Sequence, residues 1–169
     1  QLIQETVREL KGEPAEAETD PTIRLRAEGF IPESYVPDPA LRLNLYKRLA
    51  ALREANLLAD FAEELADRFG PVPAEVEWLL RMLDLKLQAR RLRIQEIDGR
   101  REAIRVRFAP DPPVSPETIL SLLRTERGRL KYLPEDTLEY RTDGATPEAR
   151  LAAARKLLHR LTAGVTVPR

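Results

Sequence analysis

Apolar positions follow two different periods along the chain. From residue 39 to about residue 91 they recur every three or four positions, as on one face of a helix. Asp38 can cap the first helix with Pro39 at its first position, and Leu45, Tyr46, Leu49 and Leu52 give it an apolar face. The second runs from about Asn56 to Phe69 on a stripe of Leu58, Phe61, Leu65 and Phe69. It stops at Gly70-Pro71, where Gly accepts the left-handed end and Pro cannot continue. The third starts near Pro73, reaches about Arg91, and carries two stripes. Val76, Leu79, Leu80, Leu83 and Leu87 form one; Trp78, Met82, Leu85, Ala89 and Leu92 form the other, about half a turn away. Such a helix is central in its domain or half-covered by a partner. Central burial is the simpler outcome, with Trp78 as a candidate second interface anchor because Trp is enriched in hot spots.

Beyond residue 92 the period shortens. RIQEIDGRREAIRVRF predicts a hairpin turning about Asp98-Gly99, with Ile104, Val106 and Phe108 alternating. Ser115-Pro116 opens a short helix to about Arg127, ended by Gly128; RLKYL and TLEYR pair around Pro134-Glu135-Asp136. Thr146-Pro147 opens a last helix that reaches Ala163 and closes at Gly164. Upstream, alternation at Ile23 and Leu25 predicts a strand over 22–26 before a Pro-rich turn. The order β, ααα, ββ, α, ββ, α predicts an α+β domain, with helices packed on a small, mostly antiparallel sheet. Four segments follow: a helix end over 1–11, an acidic Pro/Gly linker over 12–21, the α+β domain over 22–163 and a tail over 164–169. A chain that begins at Gln1 with a helix end is expected to be a piece of a longer protein.

Composition narrows the chemistry. Basic and acidic residues both number 28, so no global field points to nucleic acid. Cysteine is absent, which removes disulfides and thiolate metal sites and suits the cytoplasm. No run of about 18 apolar residues occurs, so a membrane partner is not expected. His159 is the only histidine and lies beside Leu158 and Leu161, a structural setting. The seven glycines fit no phosphate-cradling motif, and the serines at 34, 115 and 121 fit no nucleophile elbow. Neither a catalytic site nor a cofactor or metal is expected in the chain.

Two charged features remain. Between Lys86 and Arg107 lie eight basic residues (with Arg90, Arg91, Arg93, Arg100, Arg101 and Arg105) against three acids. The run could track phosphates as an accessory nucleic-acid module, but it lacks the interleaved aromatics of single-strand binders. A solvated face with little or no direct DNA binding is the simpler expectation. The second feature is the acidic side of the second helix, where Asp60, Glu63, Glu64 and Asp67 face away from the core stripe. Asp60–Glu64 and Glu63–Asp67 are like-charge pairs at i,i+4, each costing roughly 0.2–0.5 kcal/mol, while Glu64–Arg68 returns a similar amount. Asp67 also lies in the last turn, where the helix dipole disfavours an anion. Local energetics do not select this row. Replacing Glu64 and Asp67 together is expected to shift stability by no more than about 0.5 kcal/mol, as for surface positions generally.

The stretches IPESYVPDPALRLNLYKRLA (31–50) and EELADRFGPVPAEVEWLL (63–80) resemble the C-terminal module of bacterial transcription-repair coupling factors. Ile31, Pro32, Tyr35, Val36 and Asp38 meet the first part of the family pattern. Arg42, Tyr46, Lys47 and Arg48 meet the next, and Glu64, Asp67, Arg68, Phe69, Gly70 and Pro73 the last. The likeness covers about residues 22–163 and weakens after the third helix, and residues 1–11 resemble the helix that ends the preceding translocase module. The resemblance implies a non-catalytic, autoinhibitory module of an ATP-dependent DNA translocase in transcription-coupled excision repair. It implies docking on the UvrB-like N-terminal module of the same protein, which masks UvrA binding and restrains the motor until RNA polymerase is engaged. The family's contact acids match Glu64 and Asp67. A surface meant for another module implies a monomer.

Overall fold

The computed structural model describes residues 19–165. The readings made on 1–11, on most of the linker and on 166–169 lie outside the described residues. A short strand β1 (Thr22–Arg24) leads into three helices, α1 (Pro39–Ala51), α2 (Ala55–Phe69) and α3 (Ala74–Arg91). The hairpin β2 (Ile94–Gly99) and β3 (Ala103–Phe108) follows, then α4 (Pro116–Thr125). β4 (Leu130–Leu133), β5 (Thr137–Arg141) and α5 (Pro147–Thr162) are the last elements of the described residues. The strands form one open sheet in the order β1-β2-β3-β5-β4. Only the β1–β2 pair is parallel. Among the described residues, five helices on a five-stranded, mostly antiparallel sheet make the α+β fold that the periodicity predicts.

Helix starts sit where the sequence places caps. The Asp38 carboxylate accepts from the Ala40 N–H at 2.9 Å, Ser115 Oγ from Thr118 at 3.2 Å and Thr146 Oγ1 from Ala149 at 3.1 Å. Each cap is followed by proline at the first helical turn, where a missing N–H costs nothing.

α3 divides the interior into two cores. Leu85, Ala89 and Leu92, with Trp78 and Met82, pack on the sheet and α5. Val76 and Leu87, with Leu79, Leu80 and Leu83, pack on α1, α2 and the 31–36 turn. Both stripes read from the sequence are filled from within the domain, and α3 is its central helix. Gly29 marks how closely the chain passes this helix: a Cβ there would lie 2.3 Å from the Leu79 backbone nitrogen. Gly29→Ala is therefore expected to push the 27–31 segment off α3 and to cost about 2 kcal/mol, in the range of overpacked sites. Urea denaturation measures it; an unchanged midpoint would show that the contact relaxes freely.

The hairpin corrects one expectation. Asp98 and Gly99 do not turn the chain; Gly99 still pairs with Ile104, and the reversal lies over residues 100–102. Both residues are buried. Asp98 lies 3.8, 3.6 and 3.1 Å from the guanidinium groups of Arg24, Arg26 and Arg100. A Cβ on Gly99 would meet Arg150 Cδ at 2.9 Å. The Asp-Gly pair answers to tertiary packing rather than to turn geometry. At the C-terminus, Val165 bridges to Val114, so ordered structure passes residue 163.

Candidate interaction surface

The corner between α2 and α3 is built from residues that the family pattern names, and most of them work inside the domain. Gly70 ends α2 at φ 91°, a conformation that costs a side-chain-bearing residue, and its N–H donates to the Ala66 carbonyl at 3.0 Å. The Tyr35 hydroxyl sits between the carbonyls of Leu65 and Gly70, at 3.0 and 2.9 Å. Its ring lies 5.8 Å from that of Phe69. Tyr46 Oη accepts from the Ile31 N–H at 2.7 Å, and Arg42 donates to the carbonyls of Val36 and Pro37. The 31–38 turn, α1 and the end of α2 are thereby locked together.

Glu64 belongs to this lock. Arg48 of α1 donates to both of its carboxylate oxygens, at 2.7 and 2.8 Å, and Arg68 donates to Oε2 at 2.9 Å. The two guanidinium groups lie over aromatic faces, Arg48 over Phe61 at 4.8 Å and Arg68 over Phe69 at 5.0 Å. The Glu64–Arg68 pair follows from the helical spacing. The contact from Arg48 is tertiary, and no sequence signal marks it. Glu64 is thus a tie between α1 and α2, and the expectation that it can be removed as cheaply as Asp67 does not hold.

Hydrogen bonds from Arg48 and Arg68 hold the Glu64 carboxyl down at about 2, from an ordinary 4.5. A carboxyl depressed by folding contributes stability above its unfolded value and loses it as pH falls through the folded one. The contribution of Glu64 is therefore expected to be complete above pH 4.5 and to vanish toward about pH 2. Because the site is partly exposed, its size is on the order of 1 kcal/mol, the upper end for solvated pairs. Urea titrations of wild type and Glu64→Gln across this interval should converge at the acid end. A gap that persists at pH 2 would place the stabilisation elsewhere.

Asp60, Glu63 and Asp67 behave differently. All three are exposed, and among the described residues none takes part in an ion pair. Spaced at i, i+3 and i+7 on α2, they form one row about 10 Å long. Three uncompensated carboxylates stand on an element whose end, neighbour and orientation are fixed by Gly70, Arg48 and Tyr35.

The other sequence candidates are distributed. Trp78 is half-buried against the sheet-side core, and its indole N–H donates to the Ala27 carbonyl at 3.3 Å. Lys86 and Arg90 hold Asp20, at 3.1 and 3.4 Å, where the chain enters β1. Arg105 pairs with Glu139 at 2.8 Å, while Arg107 donates to Gln95 at 2.6 Å and lies 3.7 Å from Glu96. Arg100 faces Asp98, Arg93 is half-buried, and Arg91 and Arg101 are exposed. The basic run is thus split among the end of α3, the hairpin turn and the outer sheet face, and acids answer most of it. His159 is exposed on α5. Among the described residues, no group of three His, Asp or Glu side chains could hold a metal ion, and no helix is long and apolar enough to cross a membrane.

The TRCF domain family model matches residues 25–119. Among curated proteins, the transcription-repair-coupling factor of Myxococcus xanthus is 29% identical over 163 residues, which are 96% of this chain and 14% of that protein. The Bacillus subtilis protein of the same name is 34% identical over 66% of the chain and 10% of its own length. That of Escherichia coli is 28% identical over 82% and 12%. The chain therefore spans a seventh or less of these relatives. A crystal structure of the C-terminal domain of transcription-repair coupling factor superposes with a TM-score of 0.72, at 17% identity, over 89% of this chain and 99% of that one. This chain belongs to the TRCF domain family, and its fold is that of the C-terminal domain of transcription-repair coupling factor.

Proposed function

We propose that the domain is a regulatory docking module with no chemistry of its own, acting within an ATP-dependent DNA translocase of transcription-coupled excision repair. Its acidic row on α2 docks on Arg side chains of the UvrB-like N-terminal module of the same protein. Docking masks the surface that recruits UvrA and restrains the motor until stalled RNA polymerase is engaged. The module begins at about residue 22, after the acidic linker, works as a monomer in the cytoplasm, and needs no cofactor. The observation that carries the proposal is the row itself: Asp60, Glu63 and Asp67 stand exposed, without ion pairs among the described residues, on a helix held by the Glu64 tie. Mutual repulsion makes such a row unfavourable in the free domain, and charge-assisted hydrogen bonds to a partner's guanidinium groups would relieve it.

In the parent protein, replacing Glu63 and Asp67 by Ala should raise UvrA capture and ATP turnover in the absence of RNA polymerase. Pull-down and steady-state hydrolysis measure the two effects. Wild-type levels of both, in a protein whose domain remains folded, would reduce the row to a solvated helix face.

A further inference from the structure

Asp67 is the member of the acidic row that its own helix tolerates least. It stands in the last turn of α2, where the dipole disfavours an anion and the final carbonyls receive no N–H from a following turn. Such a turn frays easily, and fraying would carry the Asp67 carboxylate away from Glu63 and from the terminal carbonyls. A restraint comes from outside the helix. The Tyr35 hydroxyl lies 3.0 Å from the Leu65 carbonyl oxygen and 2.9 Å from that of Gly70, the two carbonyls that bracket Asp67. Its ring is tilted by 60° against that of Phe69, whose face in turn carries the Arg68 guanidinium. Tyr35 is itself anchored. Its N–H and that of Val36 both donate to the Pro32 carbonyl at 3.0 Å, and Tyr46 holds the N–H of Ile31 at the start of the same turn. Burial raises the Tyr35 phenol above its ordinary value, so the hydroxyl keeps its proton at neutral pH.

We propose that Tyr35 is a positioning residue for docking: its hydroxyl holds the last turn of α2 so that Asp67 stays in line with Asp60 and Glu63. The role rests on the docking function proposed for that row. One phenolic proton donates to one carbonyl at a time, and either choice pins the same turn. Aimed at the carbonyl end of the helix, it also offsets part of the partial negative charge that Asp67 meets there. The ring cannot do this alone, because it carries no donor. Three carboxylates meet a partner's guanidinium groups together only if their spacing is fixed beforehand. A turn that must be ordered on binding lowers the affinity.

The test is a double-mutant cycle, read by calorimetric titration of the chain into its proposed partner, an isolated UvrB-like module. Tyr35→Phe keeps the ring and removes only the hydroxyl. It should weaken docking ~3–10-fold, the equivalent of one neutral hydrogen bond. In an Asp67→Ala background the same change should alter affinity less than ~2-fold, because the residue it positions is gone. In the free chain, Tyr35→Phe should speed amide exchange at Arg68, Phe69 and Gly70 at least ~3-fold and leave α3 as in wild type. Equal losses of affinity in the two backgrounds would make Tyr35 a general support of the fold and overturn the inference. So would wild-type affinity, or unchanged exchange in the last turn of α2. No docking by wild type would overturn the docking function itself, and this role would fall with it.

Discussion

Arg150→Ala is expected to be the most damaging single change in the domain. The side chain is 7% exposed, and among the described residues its guanidinium has no carboxylate partner. It donates instead to four carbonyl oxygens: Arg100 at 2.6 Å, Ala145 at 2.9 Å, Leu25 at 3.2 Å and Arg101 at 3.3 Å. These acceptors come from the end of β1, the β2–β3 turn and the segment before α5, so one residue ties together three parts of the chain. Truncation removes charge-assisted bonds with a net worth of about 1.5–3 kcal/mol each, not additive within one fork, and leaves carbonyls with no donor. It also opens a cavity beside Gly99, whose missing Cβ makes room for the Arg150 stem. Allowing for water that enters the gap, a loss of roughly 3–5 kcal/mol follows. Arg150→Lys keeps the charge but cannot reach four acceptors in a fork, and should recover less than half of the loss. Chemical denaturation of the three proteins measures both effects. A loss below about 1 kcal/mol for Arg150→Ala would mean that solvent replaces the fork without penalty.

The second large effect is on docking and leaves the fold alone. Replacing Asp60, Glu63 and Asp67 together by Ala removes like charges spaced along one face and an anion from the last turn of α2. Stability should stay within about 0.5 kcal/mol of wild type or rise slightly. If the partner's guanidinium groups are buried in the complex, they are left unpaired, and docking should weaken by about 2–5 kcal/mol. Glu64→Ala is expected to separate from this pattern. It frees Arg48 and Arg68, loosens α1 against α2 and costs stability first, with docking affected only through the lost orientation of the row.

These two residues show where sequence reading stops. The helices, their caps and the double-striped α3 were legible because each rests on local rules: a side-chain oxygen before proline, or apolar residues on opposite faces. The acidic row was legible for the same reason, since helical spacing alone gathers Asp60, Glu63 and Asp67. What could not be read was tertiary. Arg150 sits in PEARLAAARKLL as one of several arginines on a helix, and nothing in its spacing marks the one that is buried. Glu64 looks like its acidic neighbours until α1 brings Arg48 to it. Asp98-Gly99 has the composition of a turn, yet it answers to three surrounding guanidinium groups and to the Arg150 stem.

The most direct measurement is a calorimetric titration of this domain into its proposed partner, an isolated UvrB-like module, at physiological salt. Wild type should bind, and the Asp60, Glu63 and Asp67 triple substitution should weaken binding at least ~30-fold while its unfolding midpoint stays unchanged, the lower bound of a 2 kcal/mol loss. Equal affinity for the two proteins, or no binding by wild type, would contradict a docking role for the acidic face of α2.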